Sequence, residues 1–308
     1  MSDERSKLPG MGWVPDLPDF RDYRVDHDHI SEKNLKFGQE ITVKEMLDEV
    51  GVVDEDAIKV EGKVDFREWC SPIENQASLG SCTAQAAAAV VEYFERRAFG
   101  KHIDASRLFL YKVSRNLLHW TGDTGAYLRT AMGALVLFGV PPEEYWPYNI
   151  ADFDVEPPAF CYSFAQNFRA INYYRLDYPG ITRKDLLKRI RVNLLGGLPS
   201  MFGFTVFSSI NQAADDGKIP FPTTKERRLG GHAVVAVGFD DSLVIENDTN
   251  GGSETTGALL IRNSWGEKWG KKGYGWLPYE YVLRGLAIDW WSLLKQDWIE
   301  TGEFKISN

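Results

Sequence analysis

One stretch, Asn-Gln-Ala-Ser-Leu-Gly-Ser-Cys-Thr-Ala-Gln-Ala at residues 75–86, constrains the folding of this 308-residue chain more than any other. Gly80 interrupts it just before Cys82, and the alanine-rich run that follows predicts a helix to about Ala98, which Gly100 ends. A thiol in a first helical turn meets unpaired N–H groups and the positive end of the helix dipole, and both lower its pKa. Because the thiolate is the nucleophilic form, the stretch predicts a reactive Cys82. The alternative is a small buried residue at a helix start.

Length and charge limit the class of protein. A chain with 44% hydrophobic residues and 10 Trp can bury a large core, as one domain or as two lobes. The net charge of −9 and the pI near 5.2 argue against nucleic acid as a partner. Residues 1–61 hold 16 Asp/Glu and 8 Lys/Arg, whereas the remainder is almost neutral. We therefore divide the chain into an acidic N-terminal segment, residues 1–62, and a main body, residues 63–308.

No sequence feature points to a membrane or to an export pathway. No apolar run reaches the roughly 18–20 residues that a transmembrane helix needs. The N-terminus is polar and lacks the apolar core of a signal peptide. If Cys82 is kept for chemistry, Cys70 and Cys161 allow at most one disulfide. These features predict a cytoplasmic protein, with signal-independent export left open.

Capping and hydrophobic patterns place helices first and strands later in the chain. Thr42 and Glu45 have the spacing of a capping box for a short helix ending at Val50. The other predicted elements are helices over about 106–118, 127–138 and 183–195, and strands over 201–207, 232–239, 243–246, 258–263 and 273–279. This order is typical of an α+β protein, here with a mainly helical lobe over about 63–170 and a mainly β lobe over about 171–308.

A reactive cysteine needs a general base, and the chain has five histidines. His232 lies in Gly-Gly-His-Ala-Val-Val-Ala-Val-Gly at 230–238, where the glycines allow close backbone approach and a strand holds the ring. Asn263 ends another apolar run and precedes a turn that contains Trp265. Its amide oxygen can accept a hydrogen bond from the imidazole while the indole shields that bond. Taken alone, His232 would sooner be interpreted as a core histidine with satisfied hydrogen bonds, and it is the Asn263 turn that favours the general base.

Four blocks of the chain together resemble the papain-like cysteine peptidases of the C1 type. They are Val64-Asp-Phe-Arg with Asn75-Gln76 and Gly80-Ser-Cys82; Gly125 with Gly139-Val and Tyr145-Trp-Pro-Tyr148; His232-Ala with Val237-Gly238; and Asn263-Ser-Trp-Gly with Trp269-Gly and Gly273-Tyr274. Gly-Ser-Cys-Thr-Ala and the segment from Gly12 to Tyr23 are similar to the prokaryotic, xylellain-like branch. Three positions depart from the common family pattern without removing a catalytic atom: Leu79, Thr83 and Gly231.

The resemblance implies an α+β papain-like two-lobe fold. A helical left lobe would carry the nucleophile helix, an antiparallel β-barrel-like right lobe would carry the base, and the active-site cleft would lie between them. Cys82 would be the nucleophile, His232 its ion-pair partner and general acid/base, and Asn263 the residue that orients His232 under Trp265. The Gln76 side-chain amide and the Cys82 backbone N–H would form the oxyanion hole.

The resemblance also implies where substrate binds. A turn would pair with the substrate backbone, and residues 201–204 with the region near Ala287 would shape the pocket for the second residue before the cleaved bond. The implied substrate-binding residues are Asp123, Thr124, Gly125, Met201 and Gly231. An apolar preference is one interpretation of Met201 and its neighbours, and ordinary core strand residues are the other.

In this family an N-terminal propeptide commonly blocks the cleft, so we interpret residues 1–62 as a restraint that packs on the body through Trp13 to Tyr23. A permanent structural arm is the alternative. The expected activity is endopeptidase hydrolysis of polypeptides by a monomer that needs no cofactor or metal. A catalytically silent binding module, or a specialised aminopeptidase or processing enzyme, remain alternative functions.

Overall fold

A computed structural model describes residues 9–20, 22–36, 38–56, 58–166 and 172–306. The helices are α1 (Glu32–Lys36), α2 (Val43–Val50), α3 (Cys82–Phe99), α4 (Arg107–Leu117), α5 (Leu128–Phe138), α6 (Ala159–Ala165), α7 (Arg183–Leu195), α8 (Tyr279–Leu283) and α9 (Gln296–Ile299). The strands are β1 (Lys63–Asp65), β2 (Asn172–Arg175), β3 (Ser200–Phe207), β4 (Arg228–Glu246), β5 (Glu254–Arg262), β6 (Tyr274–Pro278) and β7 (Ala287–Leu294). Short 3₁₀ helices occupy Arg67–Trp69, Glu143–Tyr145, Ile150–Asp152 and Ser208–Ala213.

Helix α3 begins at Cys82 and is the central helix of the helical lobe. Its residues 82–94 are all buried, because α3 packs against α4 and α5 on one side and β4 on the other. Alanines fill most of its first half, and their small side chains allow this close approach. Gly100 ends the helix in the left-handed conformation, as the sequence predicts.

The capping predictions are confirmed by the structure. In α2 the Thr42 side chain accepts from the Glu45 N–H, and the Glu45 carboxylate accepts from the Thr42 N–H at 2.7 Å. Ser106 and Thr182 cap α4 and α7 in the same way, through the N–H three residues on. Gly139 follows α5 with a positive φ of 76°.

The strands form one antiparallel sheet in the order β2–β7–β3–β4–β5–β6, with β1 paired to part of β4. Strand β4 spans the two runs that the sequence separates, and its register against β5 shifts between Asp240 and Val244. Across the described residues this path is open, so the right lobe is a sheet and not the β-barrel-like lobe that we expected. In other respects the α+β prediction is confirmed.

The acidic segment packs along the body and contributes to the core. Val43, Met46, Leu47 and Val50 of α2 are fully buried, and Val50 contacts the backbone of Gly196 after α7. All three cysteines are free and buried, so no disulfide joins Cys70 to Cys161.

Candidate active site

The sulfur of Cys82 lies at the N-terminus of α3, beside the strand that carries His232. Cys82 is fully buried, and burial raises the pKa of its thiol to about 11. Backbone N–H groups near the sulfur lower this pKa by less; they belong to Ala233, Gly12, Thr83 and Trp13. The predicted thiolate is therefore not favoured in this structure, because desolvation outweighs the helix N-terminus.

His232 is held between an amide and an indole. Its Nε2 lies 2.8 Å from Asn263 Oδ1, which also accepts from the Ser264 N–H at 2.8 Å. Because Oδ1 is an acceptor, Nε2 carries the proton and Nδ1 has the free lone pair. The Trp265 ring stacks on the imidazole with centroids 4.5 Å apart. Burial lowers the pKa of His232 to about 4, although the hydrogen bond to Asn263 raises it.

The Gln76 side chain is fixed at both ends of its amide. Its Oε1 accepts from Ser264 Oγ at 2.6 Å, so the amide is oriented with Nε2 as the donor. That Nε2 donates to Leu79 O at 2.9 Å and to Gly10 O at 2.7 Å. Ser264 therefore aligns Gln76 and, through its backbone N–H, Asn263.

The N-terminal residues cross the cleft at this point, and we call residues 9–20 the arm. The Gly12 N–H donates to Cys82 Sγ at 3.3 Å, and Gly12 O accepts from the Ala126 N–H at 2.9 Å. Trp13 and Ala126 form a parallel bridge, and Trp13 is 6% exposed. The backbones touch so closely that a Cβ on Gly12 would overlap the carbonyl of Gly80 and lie 2.7 Å from its Cα.

Comparison of the chain with known protein families agrees with this arrangement of Cys82, His232 and Asn263. A model of the papain family cysteine proteases matches residues 60–282. The chain belongs to the papain family. The uncharacterized peptidase C1-like protein L477 of Acanthamoeba polyphaga mimivirus is 34% identical to this papain-family chain over 286 residues, 91% of this chain and 85% of that protein. Chymopapain from Carica papaya is 24% identical over 283 residues, 88% of this chain and 70% of chymopapain.

A solved structure agrees with this family assignment. Xylellain, a cysteine protease from Xylella fastidiosa, superimposes on this papain-family chain with a TM-score of 0.68 and 28% identity, over 92% of this chain and 96% of xylellain. The resemblance and the two-lobe fold predicted from the sequence are thereby confirmed. The protein is a hydrolase of the cysteine peptidase class, and its substrates are polypeptides.

The residues that the sequence assigned to substrate binding are placed in different surroundings in this papain-family protease. Asp123 accepts from the Gly80 N–H at 2.9 Å and from the Tyr111 hydroxyl at 2.5 Å, so it fixes the loop before the cysteine. Gly125 lies against Gly12 of the arm, and Thr124 lines an open cavity of about 380 Å³ beside Val14.

The remaining two lie on the sheet of the right lobe. Gly231 lies under the Trp13 ring, and a Cβ there would come within 2.7 Å of it. Met201 is fully buried in β3, where it pairs with Val235 and Trp291.

Two polar residues of the site were not found by sequence reasoning. Ser264 directly follows Asn263, and only the fold shows that its hydroxyl reaches Gln76. Asp289 is fully buried in β7 and accepts from Trp13 Nε1 at 3.0 Å. An acid inside the apolar run Ala-Ile-Asp-Trp-Trp-Ser-Leu-Leu is the one signal that pointed to it.

Within the described part of the chain, no three His, Cys, Asp or Glu side chains group as they would around a metal ion. In the same residues, no helix has the length and apolar character required to cross a bilayer.

Proposed function

We propose that this protein hydrolyses internal peptide bonds through Cys82, His232 and Asn263, and that the arm restrains this site until it is displaced. The observation that carries the proposal is the position of the arm's backbone. Gly12 N–H approaches Cys82 Sγ, and Gly10 O accepts from Gln76 Nε2. A peptide therefore already lies where a nucleophile and an oxyanion donor would meet a substrate.

Acylation would begin when a substrate carbonyl replaces the arm. Cys82 Sγ attacks the carbonyl carbon while His232 Nδ1 takes the thiol proton, since Nε2 is engaged with Asn263. The negative oxygen that forms accepts from Gln76 Nε2 and the Cys82 N–H. The C–N bond then breaks, His232 returns its proton to the leaving amine, and a thioester remains on Cys82.

Deacylation would use the same groups with water as the nucleophile. His232 Nδ1 takes a proton from water as its oxygen attacks the thioester carbonyl. The C–S bond then breaks, the carboxylic acid leaves, and the proton returns to Cys82. Asn263 and Trp265 keep the imidazole in one tautomer and one plane during both halves.

The arm would restrain the site in two ways: it would keep Cys82 and His232 buried, and it would occupy the place of the substrate. With the arm in place Cys82 and His232 are both fully buried, and burial disfavours the charged form of each. Displacement of the arm admits water, so the opposed pKa shifts should shrink and the pair become reactive.

Ion pairs fasten the arm where it leaves the cleft. Arg129 Nε donates to Asp16 Oδ2 at 2.6 Å, Nη2 donates to Leu17 O at 2.7 Å, and Nη1 pairs with buried Asp22. The Arg175 guanidinium donates to Asp16 O at 3.0 Å. The acidic charge of the N-terminal segment thus pairs with arginines of the body.

The segment divides into a cleft-occupying part and a core part. Residues 9–20 cross the cleft, whereas the apolar face of α2 is buried as deeply as any core element. At about 1.5–3 kcal/mol for each large side chain, burial of this face contributes on the order of 10 kcal/mol to folding. We therefore propose the restraining role for residues 9–20 and the role of a permanent structural part for α2. A point change in the arm is the appropriate test, because removal of the whole segment would expose the core.

The test is peptide hydrolysis by the full chain carrying Gly12→Ala, in which we expect the overlap of the new Cβ with Gly80 to raise the open fraction of the arm. We expect the further change Cys82→Ala or His232→Ala to lower kcat/KM by about 10⁴-fold or more, and Asn263→Ala to lower it by less. Circular dichroism checks that each variant is folded. Retention of hydrolysis in the Cys82→Ala chain would contradict the proposed site, and a folded, inactive Gly12→Ala chain would favour the silent binding module.

A further inference from the structure

The loop from Gln76 to Cys82 carries both donors of the proposed oxyanion hole, the Gln76 side-chain amide and the Cys82 N–H. A turn closes this loop, since the Leu79 N–H donates to Gln76 O at 3.2 Å. Within the turn Ala77 has a φ of +52°, which residues with a Cβ rarely adopt. Strain of this kind persists where the surrounding structure enforces it. Contacts from outside the loop must therefore hold the two donors in place.

The arm supplies some of these contacts and removes them when it leaves. The Gly10 N–H donates to Ala77 O at 2.9 Å, and Gly10 O accepts from Gln76 Nε2 at 2.7 Å. The contact from Asp123 to the Gly80 N–H belongs to the body and stays. In the open enzyme the geometry of the loop therefore depends on the body alone.

The hydroxyl of Tyr148 contacts both ends of this loop. It donates to Gln76 O at 3.1 Å and lies 2.6 Å from Ser81 Oγ. Because Tyr148 has one hydroxyl proton and donates it to Gln76 O, the Ser81 hydroxyl must donate to Tyr148 Oη. Gln85 Nε2 donates to Ser81 Oγ at 3.5 Å, in agreement with this direction.

This use of the Ser81 hydroxyl leaves the first turn of α3 without a side-chain cap. Ser81 is the N-cap residue, where a serine usually accepts from an N–H two or three residues further on. Its side chain makes no such bond. The N–H groups of the first turn therefore remain for the sulfur, which the Thr83 N–H approaches, and for an oxyanion.

The ring of Tyr148 is held by a buried arginine. The Arg107 guanidinium lies 4.7 Å from the ring centroid, and Arg107 is 6% exposed. Its Nε donates to Glu143 Oε2 at 2.9 Å, and Glu143 Oε1 accepts from the Tyr148 N–H at 3.2 Å. Its Nη1 pairs with Glu74, two residues before Gln76. Burial raises the pKa of Tyr148, so the hydroxyl keeps the proton that it donates.

Resting on the proposed function, we infer that Tyr148 is a positioning residue of the oxyanion hole. Through Gln76 O and Ser81 Oγ its hydroxyl fixes the place of the Gln76 amide relative to the Cys82 N–H. Because the hydroxyl acts on the loop and not on the sulfur, its loss should slow the steps in which a carbonyl oxygen becomes negative. The reactivity of the thiol itself should not change.

The test is Tyr148→Phe in the full-length Gly12→Ala chain, which removes the hydroxyl and keeps the ring beside Arg107. We expect kcat for a peptide to fall on the order of 10-fold with KM nearly unchanged, a part of the roughly 10²–10³ that loss of a donor costs. When Gln76→Ala is also present, Tyr148→Phe should lower kcat by about twofold or less, because the donor that it aligns is gone.

Tyr93→Phe is the matched control. The Tyr93 hydroxyl also donates to one carbonyl and accepts one hydrogen bond, from Tyr93 to Gly197 O at 3.1 Å and from Arg97 to Tyr93 at 2.8 Å. It lies in the last two turns of the same helix, so its loss should change kcat by about twofold or less.

Alkylation by iodoacetamide separates alignment of the oxyanion hole from a general disturbance of the site. Displacement at its saturated carbon forms no oxyanion, so the rate at Cys82 should be the same with and without the Tyr148 hydroxyl. A change in this rate as large as the change in kcat would overturn the inference. An unchanged kcat, or equal losses with and without Gln76, would do the same.

The Cys82→Ala change distinguishes failure of this inference from failure of the proposed function. If Cys82→Ala abolishes hydrolysis while Tyr148→Phe does not slow it, the positioning role alone is refuted. If the folded Gly12→Ala chain is inactive, or hydrolyses peptides equally well with Cys82→Ala, the proposed function is refuted and the positioning role with it.

Discussion

Gly12→Ala tests the arm with the smallest change that the chain allows. The added Cβ would overlap the Gly80 carbonyl, and main-chain atoms of a fixed loop cannot move aside as a flexible side chain would. The arm must therefore move away from Gly80, and this movement weakens the hydrogen bonds of Gly12 to Cys82 Sγ and to the Ala126 N–H. At about 1 kcal/mol for each bond the cost is about 2 kcal/mol, a factor of about 30 in the open fraction.

The assay is the rate of alkylation by iodoacetamide, read by mass spectrometry for each cysteine. We expect the rate at Cys82 to rise about 30-fold in the Gly12→Ala chain, while buried Cys70 and Cys161 stay unlabelled. Gly133→Ala is the matched control, because it makes the same chemical change in α5 with no atom within 4 Å of the new Cβ.

Two results would refute this reasoning. An unchanged rate at Cys82 would show that the arm does not limit access to the sulfur. An equal rise at all three cysteines would show that the substitution loosens the whole fold instead of displacing the arm.

Three further changes test other parts of the account. Gln76→Ala in the Gly12→Ala chain should lower kcat/KM for a peptide by about 10²–10³, because an oxyanion donor is lost; a fall below threefold would exclude that role. Arg129→Met leaves buried Asp22 without its closest cation and so weakens the attachment of the arm to the body. Iodoacetamide should then alkylate Cys82 faster than in wild type. An unchanged rate would show that this ion pair does not hold the arm. Burial raises the pKa of Glu92 from 4.5 to about 7, so the folded protein holds the protonated carboxyl more tightly than the unfolded chain does. The contribution of Glu92 to the free energy of unfolding is therefore complete below pH 4.5 and is lost as pH rises through 7. Relative to Glu92→Gln, the free energy of unfolding in urea should therefore fall by about 3 kcal/mol between pH 4.5 and 8, and parallel pH profiles would contradict this assignment.

Local sequence signals predicted the elements that carry the cysteine, the histidine and the asparagine. Helix α3 follows from a glycine at each end and alanines between, and Asn263 follows from the turn after an apolar run. Strand β7 was not predicted, because its residues are buried on both faces of the sheet and it therefore lacks the alternation that marks a half-exposed strand.

Contacts between distant parts of the chain were beyond the reach of sequence reasoning. Trp13 and Asp289 are 276 residues apart, and only the folded sheet brings them together. The expected thiolate at Cys82 was wrong for a related reason. The helix N-terminus is where the sequence places it, but burial of the sulfur raises the thiol pKa by more than the surrounding backbone N–H groups lower it.

The most direct test of the central claim is detection of the acyl-enzyme. The Gly12→Ala chain is mixed with a peptide ester, quenched in acid within milliseconds to seconds, and analysed by intact mass and peptide mapping. The account predicts that the acyl part of the substrate appears on the peptide containing Cys82 and decays as free acid forms. Steady hydrolysis with no adduct on Cys82, or with the adduct on another residue, would contradict it.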